Sequence, residues 1–102
     1  MPTLHNAARG EVLLEIDGVK QRLCLTLGAL AELEAAFECI SLADLGERLS
    51  HLTPSDLLVV LSALTTGGGA RCSPAALAAA AIEPRAAAAA VAAAFKAALD
   101  EP

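Results

Sequence analysis

Between residues 11 and 25 apolar and polar positions alternate. Val12, Leu14 and Ile16 share one parity, and Glu11 and Glu15 share the other. After Asp17-Gly18 a second short run, Val19 to Leu25, follows. Two such runs around an Asp-Gly pair predict a β-hairpin, because glycine accepts the positive φ of a tight turn. Glu11 and Glu15 on one strand and Lys20 and Arg22 on the other put opposite charges within reach, in a register that the pattern leaves open.

From Thr26 onward the period lengthens to three or four. Thr26 suits an N-cap, and residues 27–38 predict a helix with Leu27, Leu30, Leu33 or Glu34, and Phe37 on one stripe. Gly28 in its first turn would let the hairpin come close. Cys39 and Ile40 end this helix or lie just beyond it. Ser41 can cap a short helix with Asp44 near the positive end of its dipole. Leu42, Leu45 and Leu49 form its apolar face, and it ends near Ser50.

Thr53-Pro54 is a sharper start, since proline at the first helical position loses no needed hydrogen bond. Leu57, Leu58, Leu61 and Leu64 face inward there, and Val59 and Val60 broaden the apolar surface, so this helix is expected to be the most buried. Gly67, Gly68 and Gly69 stop it and are expected to form a mobile joint. Ser73-Pro74 repeats the capping device for a short helix to about Ala81, carrying Leu77 with Ile82 behind it. Glu83-Pro84 breaks that helix, and a last one runs from Pro84 to about Leu99. Val91, Phe95 and Leu99 make one stripe, extended by Ala88. Alanine favours helix strongly but anchors it weakly, so this helix is a candidate to order fully only against a partner.

The expected fold is α+β and predominantly helical, an N-terminal β-hairpin followed by about five helices. The organisation is a flexible leader at residues 1–8 and a single hairpin-plus-helices domain at 9–99, with the glycine-rich joint at 67–69.

Composition narrows the function. The chain has 102 residues and a net charge of -5. Hydrophobic residues make up 56% of it, but alanine supplies much of that, and Phe37 and Phe95 are the two aromatic residues. The seven lysines and arginines are scattered, without aromatic residues interleaved to stack bases, which argues against a nucleic-acid partner. The stretch Ala75 to Ala94 is interrupted by Glu83, Pro84 and Arg85, so no membrane span is expected. The start of the chain lacks the apolar core of a secretory signal. With three widely spaced cysteines, Cys24, Cys39 and Cys72, this points to reduced thiols in a cytoplasmic protein.

Candidate chemistry is thin. His5 and His51 belong to no metal-binding or protease motif, and no spacing joins His51 to the cysteines as a zinc site. Ser41, Ser55 and Ser73 stand at helix starts, and no nucleophile elbow is present. Glu32 and Glu34 do not share a helical face. Glu34 and Glu38 do, as an ordinary solvated face or an acidic contact patch. The glycine run lacks the lysine and hydroxyl of a phosphate loop. No enzyme activity, cofactor or metal is expected. What remains is protein contact, through an open hairpin edge or the alanine-rich last helix, whose Val91 and Phe95 are its candidate contact residues.

The segment from Gly10-Glu-Val-Leu-Leu-Glu-Ile-Asp-Gly18 into Leu23-Cys-Leu-Thr-Leu-Gly-Ala-Leu-Ala-Glu-Leu-Glu-Ala-Ala-Phe37 resembles the small tail proteins of the bacterial gene transfer agent family, relatives of tailed-phage morphogenesis proteins. Leu42-Ala-Asp-Leu45, Leu57-Leu58 and the glycine-rich break continue the resemblance over roughly residues 9 to 99. It implies a phage-like tail morphogenesis factor. The expected form is a non-catalytic tail assembly chaperone that covers apolar surface on the tail tube or tape-measure protein until polymerisation. The alternatives are a structural tail tube or minor tail component and a small regulatory protein-binding adaptor. The implied partners are proteins, including a further copy of the chain. The implied location is the cytoplasm or a phage-like particle. Glu32 and Glu34 fall on the acidic positions of the resembling motif and are its candidate contact residues, whereas Leu30, Leu33 and Phe37 are expected to pack the core.

Overall fold

The computed structural model describes residues 11–99, so the leader expected at 1–8 lies outside the described residues. The order of elements is β1 (Glu11–Ile16), β2 (Val19–Cys24), α1 (Leu27–Ala36), α2 (Leu42–Leu49), α3 (Pro54–Gly67), α4 (Pro74–Ala79) and α5 (Pro84–Leu99). This is the α+β, mainly helical architecture that the pattern predicts.

β1 and β2 form a two-stranded antiparallel sheet. Asp17 and Gly18 take φ of 54° and 80°. Two successive positive values make the two-residue turn whose twist suits a hairpin. The register places Glu15 opposite Lys20 and Leu13 opposite Arg22. Leu14, Ile16 and Leu23 are buried on one face, while Leu13 and Val19 remain exposed.

Each of the next four helices starts with a hydroxyl side chain that accepts a backbone N–H: Thr26, Ser41, Thr53 and Ser73. At Thr53 the device is reciprocal, because the Asp56 carboxylate accepts the Thr53 N–H in return. For α5 the Glu83 carboxylate accepts the Ala86 N–H at 2.8 Å. α1 ends in a Schellman turn. Cys39 N–H bonds Glu34 O, Glu38 N–H bonds Ala35 O, and Glu38 takes a φ of 56°.

The core gathers Leu14, Ile16 and Leu23 of the hairpin, Leu33 of α1, Leu45 of α2, Leu61 and Leu64 of α3, and Leu77 of α4. α3 carries the longest buried run, Val60 through Thr65. Two expectations about single positions fail. Leu27 is 82% exposed: it lies at the first position of α1, before the helix turns its Ala29–Leu33 face inward. Gly28 makes no close approach to the hairpin, since an added Cβ would meet only the Thr26 hydroxyl, at ordinary distance.

The close approach is made by the glycines after Thr66. A Cβ on Gly67 would strike the Cys24 carbonyl, and one on Gly68 would strike the Arg22 carbonyl. A two-residue turn pairs Ile16 with Val19, so the carbonyls of residues 22 and 24 point to the outer edge of β2. The end of α3 therefore covers that edge, and a hairpin edge expected to accept another strand is already taken on this side. Gly69, at φ 104°, forms the left-handed residue of a second Schellman turn. The segment expected as a mobile joint is tied on both sides. Thr65 Oγ1 accepts the Cys72 N–H at 3.0 Å, and Arg71 reaches both Thr66 Oγ1 and Glu32.

α5 differs from its expected stripe. Its buried positions are Ala87, Ala90, Val91 and Ala94, which pack on the hairpin and α3. Ala88 is exposed. Small side chains let the helix axis sit close to the sheet, so alanine, rather than the larger Val91–Phe95 pair alone, makes the inner face. This helix, a candidate to order fully only against a partner, packs on the hairpin and α3 of its own chain.

Candidate functional site

The described residues contain no group of three or more His, Cys, Asp or Glu placed to hold a metal ion. Cys24 is buried, Cys39 and Cys72 are half-buried, and no disulfide joins any of the three. His51 faces Glu47 one turn away at 3.7 Å, with both side chains exposed. No described helix is long and apolar enough to cross a membrane.

The most distinct surface feature is an open apolar groove of about 690 Å³. Gly46 and Leu49 of α2, with Leu52, Pro54 and Leu57 at the entry to α3, form one wall. Pro84, Ala88, Val91, Ala92 and Phe95 form the other. A smaller groove of about 280 Å³ adjoins it through Pro54, Leu57 and Pro84 and continues toward Leu58, Ala78 and Ile82.

The walls are fixed by short-range sequence choices. Leu45 is buried beneath α2 while Gly46, on the groove side, has no side chain. The α2 helix is fastened to α3 by Arg48, whose guanidinium bonds the Asp56 carboxylate at 3.0 Å and lies 4.6 Å from the centre of the Phe37 ring. The Arg48 bond, followed by the Thr53 N–H, holds the Asp56 carboxyl below its ordinary range. One guanidinium thus joins the end of α1, α2 and the first turn of α3.

The opposite wall is fixed by the hairpin. The Asp17 N–H donates to Ala81 O at 2.9 Å, and the Ala81 N–H donates to Asp17 Oδ1 at 2.6 Å. This reciprocal clasp pins the connection between α4 and α5 to the turn of the hairpin, three residues before Pro84. Asp17 therefore has a second task besides the turn, which its Asp-Gly context did not disclose.

The candidate contact residues divide between two places. Glu32 forms an ion pair with Arg71 at 3.2 Å that links α1 to the loop before α4. Glu34 is half-buried on the same helix, and its carbonyl accepts the Cys39 N–H. Neither glutamate lines the groove. Val91 and Phe95 do line it together: Val91, 7% exposed, forms floor as well as core, and Phe95 is half-buried at one end. The α2–α3 wall was not foreseen. Leu49, Leu52 and Leu57 carried an apolar signal, but helical spacing alone does not tell a core face from a groove wall.

Chemically, the groove can bury apolar surface and do little else. Its one side-chain hydroxyl, on Thr53, accepts the Asp56 N–H, and no thiol, imidazole or carboxylate lines it. A family model described as phage tail tube protein, GTA-gp10, matches residues 9–101. No curated protein and no solved structure matches the chain.

Proposed function

We propose, from the premise that this chain belongs to the phage tail tube protein family GTA-gp10, that it acts in tail morphogenesis as a non-catalytic assembly chaperone. Membership places the chain with phage and gene transfer agent tail proteins. The finer reading is that it covers apolar surface on a tail tube or tape-measure protein until that protein polymerises. One observation carries it: an open groove, apolar on both walls and held by the Arg48 bridge and the Asp17 clasp, on a molecule whose described residues form a two-stranded sheet. A subunit that closes a tube through sheet needs free strand edges, and α3 occupies the edge of β2. A groove that offers apolar area and no reactive group suits binding without chemistry.

A structural role in the tail is the second reading, and the family description itself favours it. Quantitative mass spectrometry of purified particles separates the two. Near absence from particles, with abundance in cells assembling them, is the expected result. Many copies per particle would reject the chaperone reading in favour of a tube or tail component. The partners proposed are protein only, with no cofactor. The place of action is the cytoplasm during assembly.

A further inference from the structure

We infer that the outer edge of β1 receives an extended segment of a partner protein as a third strand, with an apolar side chain beside Leu13 and a lysine or arginine beside Glu15. This surface shares no residue with the groove, and the inference holds whatever the groove binds.

The shape of the occupant follows from unpaired backbone. Ile16 and Val19 close the turn, and hydrogen-bonded pairs alternate from there, so Leu13 and Glu15 turn their N–H and C=O groups away from β2. Among the described residues nothing pairs those groups. Buried, they would cost the fold, so they stand in water. Glu11 already has an interaction of its own, and the free stretch is counted from Leu13. The turn end of the same edge shows what fits it. The Asp17 N–H, next in the row, donates to Ala81 O at 2.9 Å, and Ala80 before it is extended, at φ -84° and ψ 157°. Ala81 thus stands where a third strand would run. An extended segment continues that row past Glu15 and Leu13, whereas a helix, bonded within itself, would leave the edge unpaired. The end of α3 covers the edge of β2, so one strand is added and the sheet does not continue round a ring.

The side chains of the occupant follow from the outer face of the hairpin. Leu13 is 41% exposed there and offers apolar surface. Glu15 is exposed and also lines an open hollow of about 500 Å³ with Gly18, Ala81, Ile82, Glu83 and Ala86. Both charged groups on that hollow are carboxylates. The Glu83 carboxylate accepts the Ala86 N–H, while that of Glu15 has no hydrogen bond or ion pair among the described residues. Three bases stand nearby in the ladder or the chain. Lys20 lies across from Glu15 and Arg85 follows Pro84, but neither lines the hollow or forms an ion pair. Arg22, across from Leu13, is already engaged. A basic side chain beside Glu15 is drawn to it across the new pair, and an acidic one is repelled. The same rule disfavours a second copy. Antiparallel pairing of β1 with its own copy about Leu13 sets Glu11 against Glu15 at both ends, on chains that each carry a net charge of -5.

The test uses the full chain and a short peptide in which threonine alternates with lysine, leucine and lysine, set against its counterpart with glutamate for lysine. Affinity and location are both read from amide chemical-shift changes. The lysine peptide is expected to bind about fivefold more tightly at low salt, and to shift the Leu13 and Glu15 amides most. Glu15→Lys, at an exposed position, should reverse that preference. Leu13→Pro removes an edge donor and no ladder bond. It should abolish binding of the lysine peptide while the cross-strand contacts of β1 with β2, read by NMR, persist. Equal affinity of the two peptides, no binding of either, or the largest shifts on another face would overturn the inference. So would self-association of the chain that Leu13→Pro abolishes, since a second copy would then be the occupant.

Discussion

The two ends of α3 are built to opposite rules. At its C-terminal end the helix closes on β2 so tightly that only glycine fits at Gly67 and Gly68, and Thr65 and Arg71 tie the following loop back onto it. At its N-terminal end Pro54 and Leu57 stand in an open groove. The first end spends its surface on the fold and keeps nothing for a partner. The second end keeps apolar surface uncovered and leaves its rigidity to an ion pair and a capping box. Stability and binding are therefore separable along one helix, and substitutions at its two ends should move different measurements.

The largest effect is expected at the closed end. Gly68→Ala places a methyl group against the Arg22 carbonyl, and backbone on both sides must shift. A loss of about 3 kcal/mol follows from such overpacking, and a midpoint drop of roughly 15 °C in thermal denaturation would register it. Thr65→Val comes next. It leaves the partly buried Cys72 N–H without its acceptor, at a cost of about 1–2 kcal/mol in urea denaturation. A melt unchanged by either substitution would remove the contrast between the ends.

The open end should respond to pH. The Asp56 carboxyl titrates below its ordinary value of 3.8 in the folded chain, chiefly through its bond to Arg48. The folded state therefore resists protonation more than the unfolded one, and stability rises with pH in that range. The contribution is fully present above 3.8 and is lost as pH falls through the lowered folded value. Acid unfolding of wild type and Asp56→Asn, compared through this window, should show a steeper loss in wild type. Smallest of all is Ala88→Gln: its effect on stability should stay within about 0.5 kcal/mol, as for other exposed positions, while binding of a tail protein through the groove is lost.

Much of this fold is visible in local pattern. The Asp-Gly turn, the caps at Thr26, Ser41, Thr53 and Ser73, and the prolines at 54, 74 and 84 each act over a few residues, and each element starts where they predict. What stayed hidden is non-local. Gly67–Gly69 looks the same whether it is a joint or a contact against strand carbonyls, because the partner lies more than forty positions away in the chain. On α5 the run of alanines is nearly uniform, so its pattern does not say which alanines turn inward. Val91 and Phe95 stood out by size and do line the groove. Glu32 stood out by charge, but its ion pair with Arg71 depends on where the loop before α4 returns.

The clasp between Asp17 and Ala81 has a consequence for the order of events during synthesis. The hairpin is made before the helices that pack on it, and a turn of this kind closes fast on its own. Its apolar face, with Leu14 and Ile16, shares one core with Ala87, Ala90 and Ala94 of α5, the helix that β1 packs against most outside the hairpin. Cover for that face is therefore complete only once α5 has been made, and the closure between Asp17 and Ala81, 64 residues apart, comes late in folding.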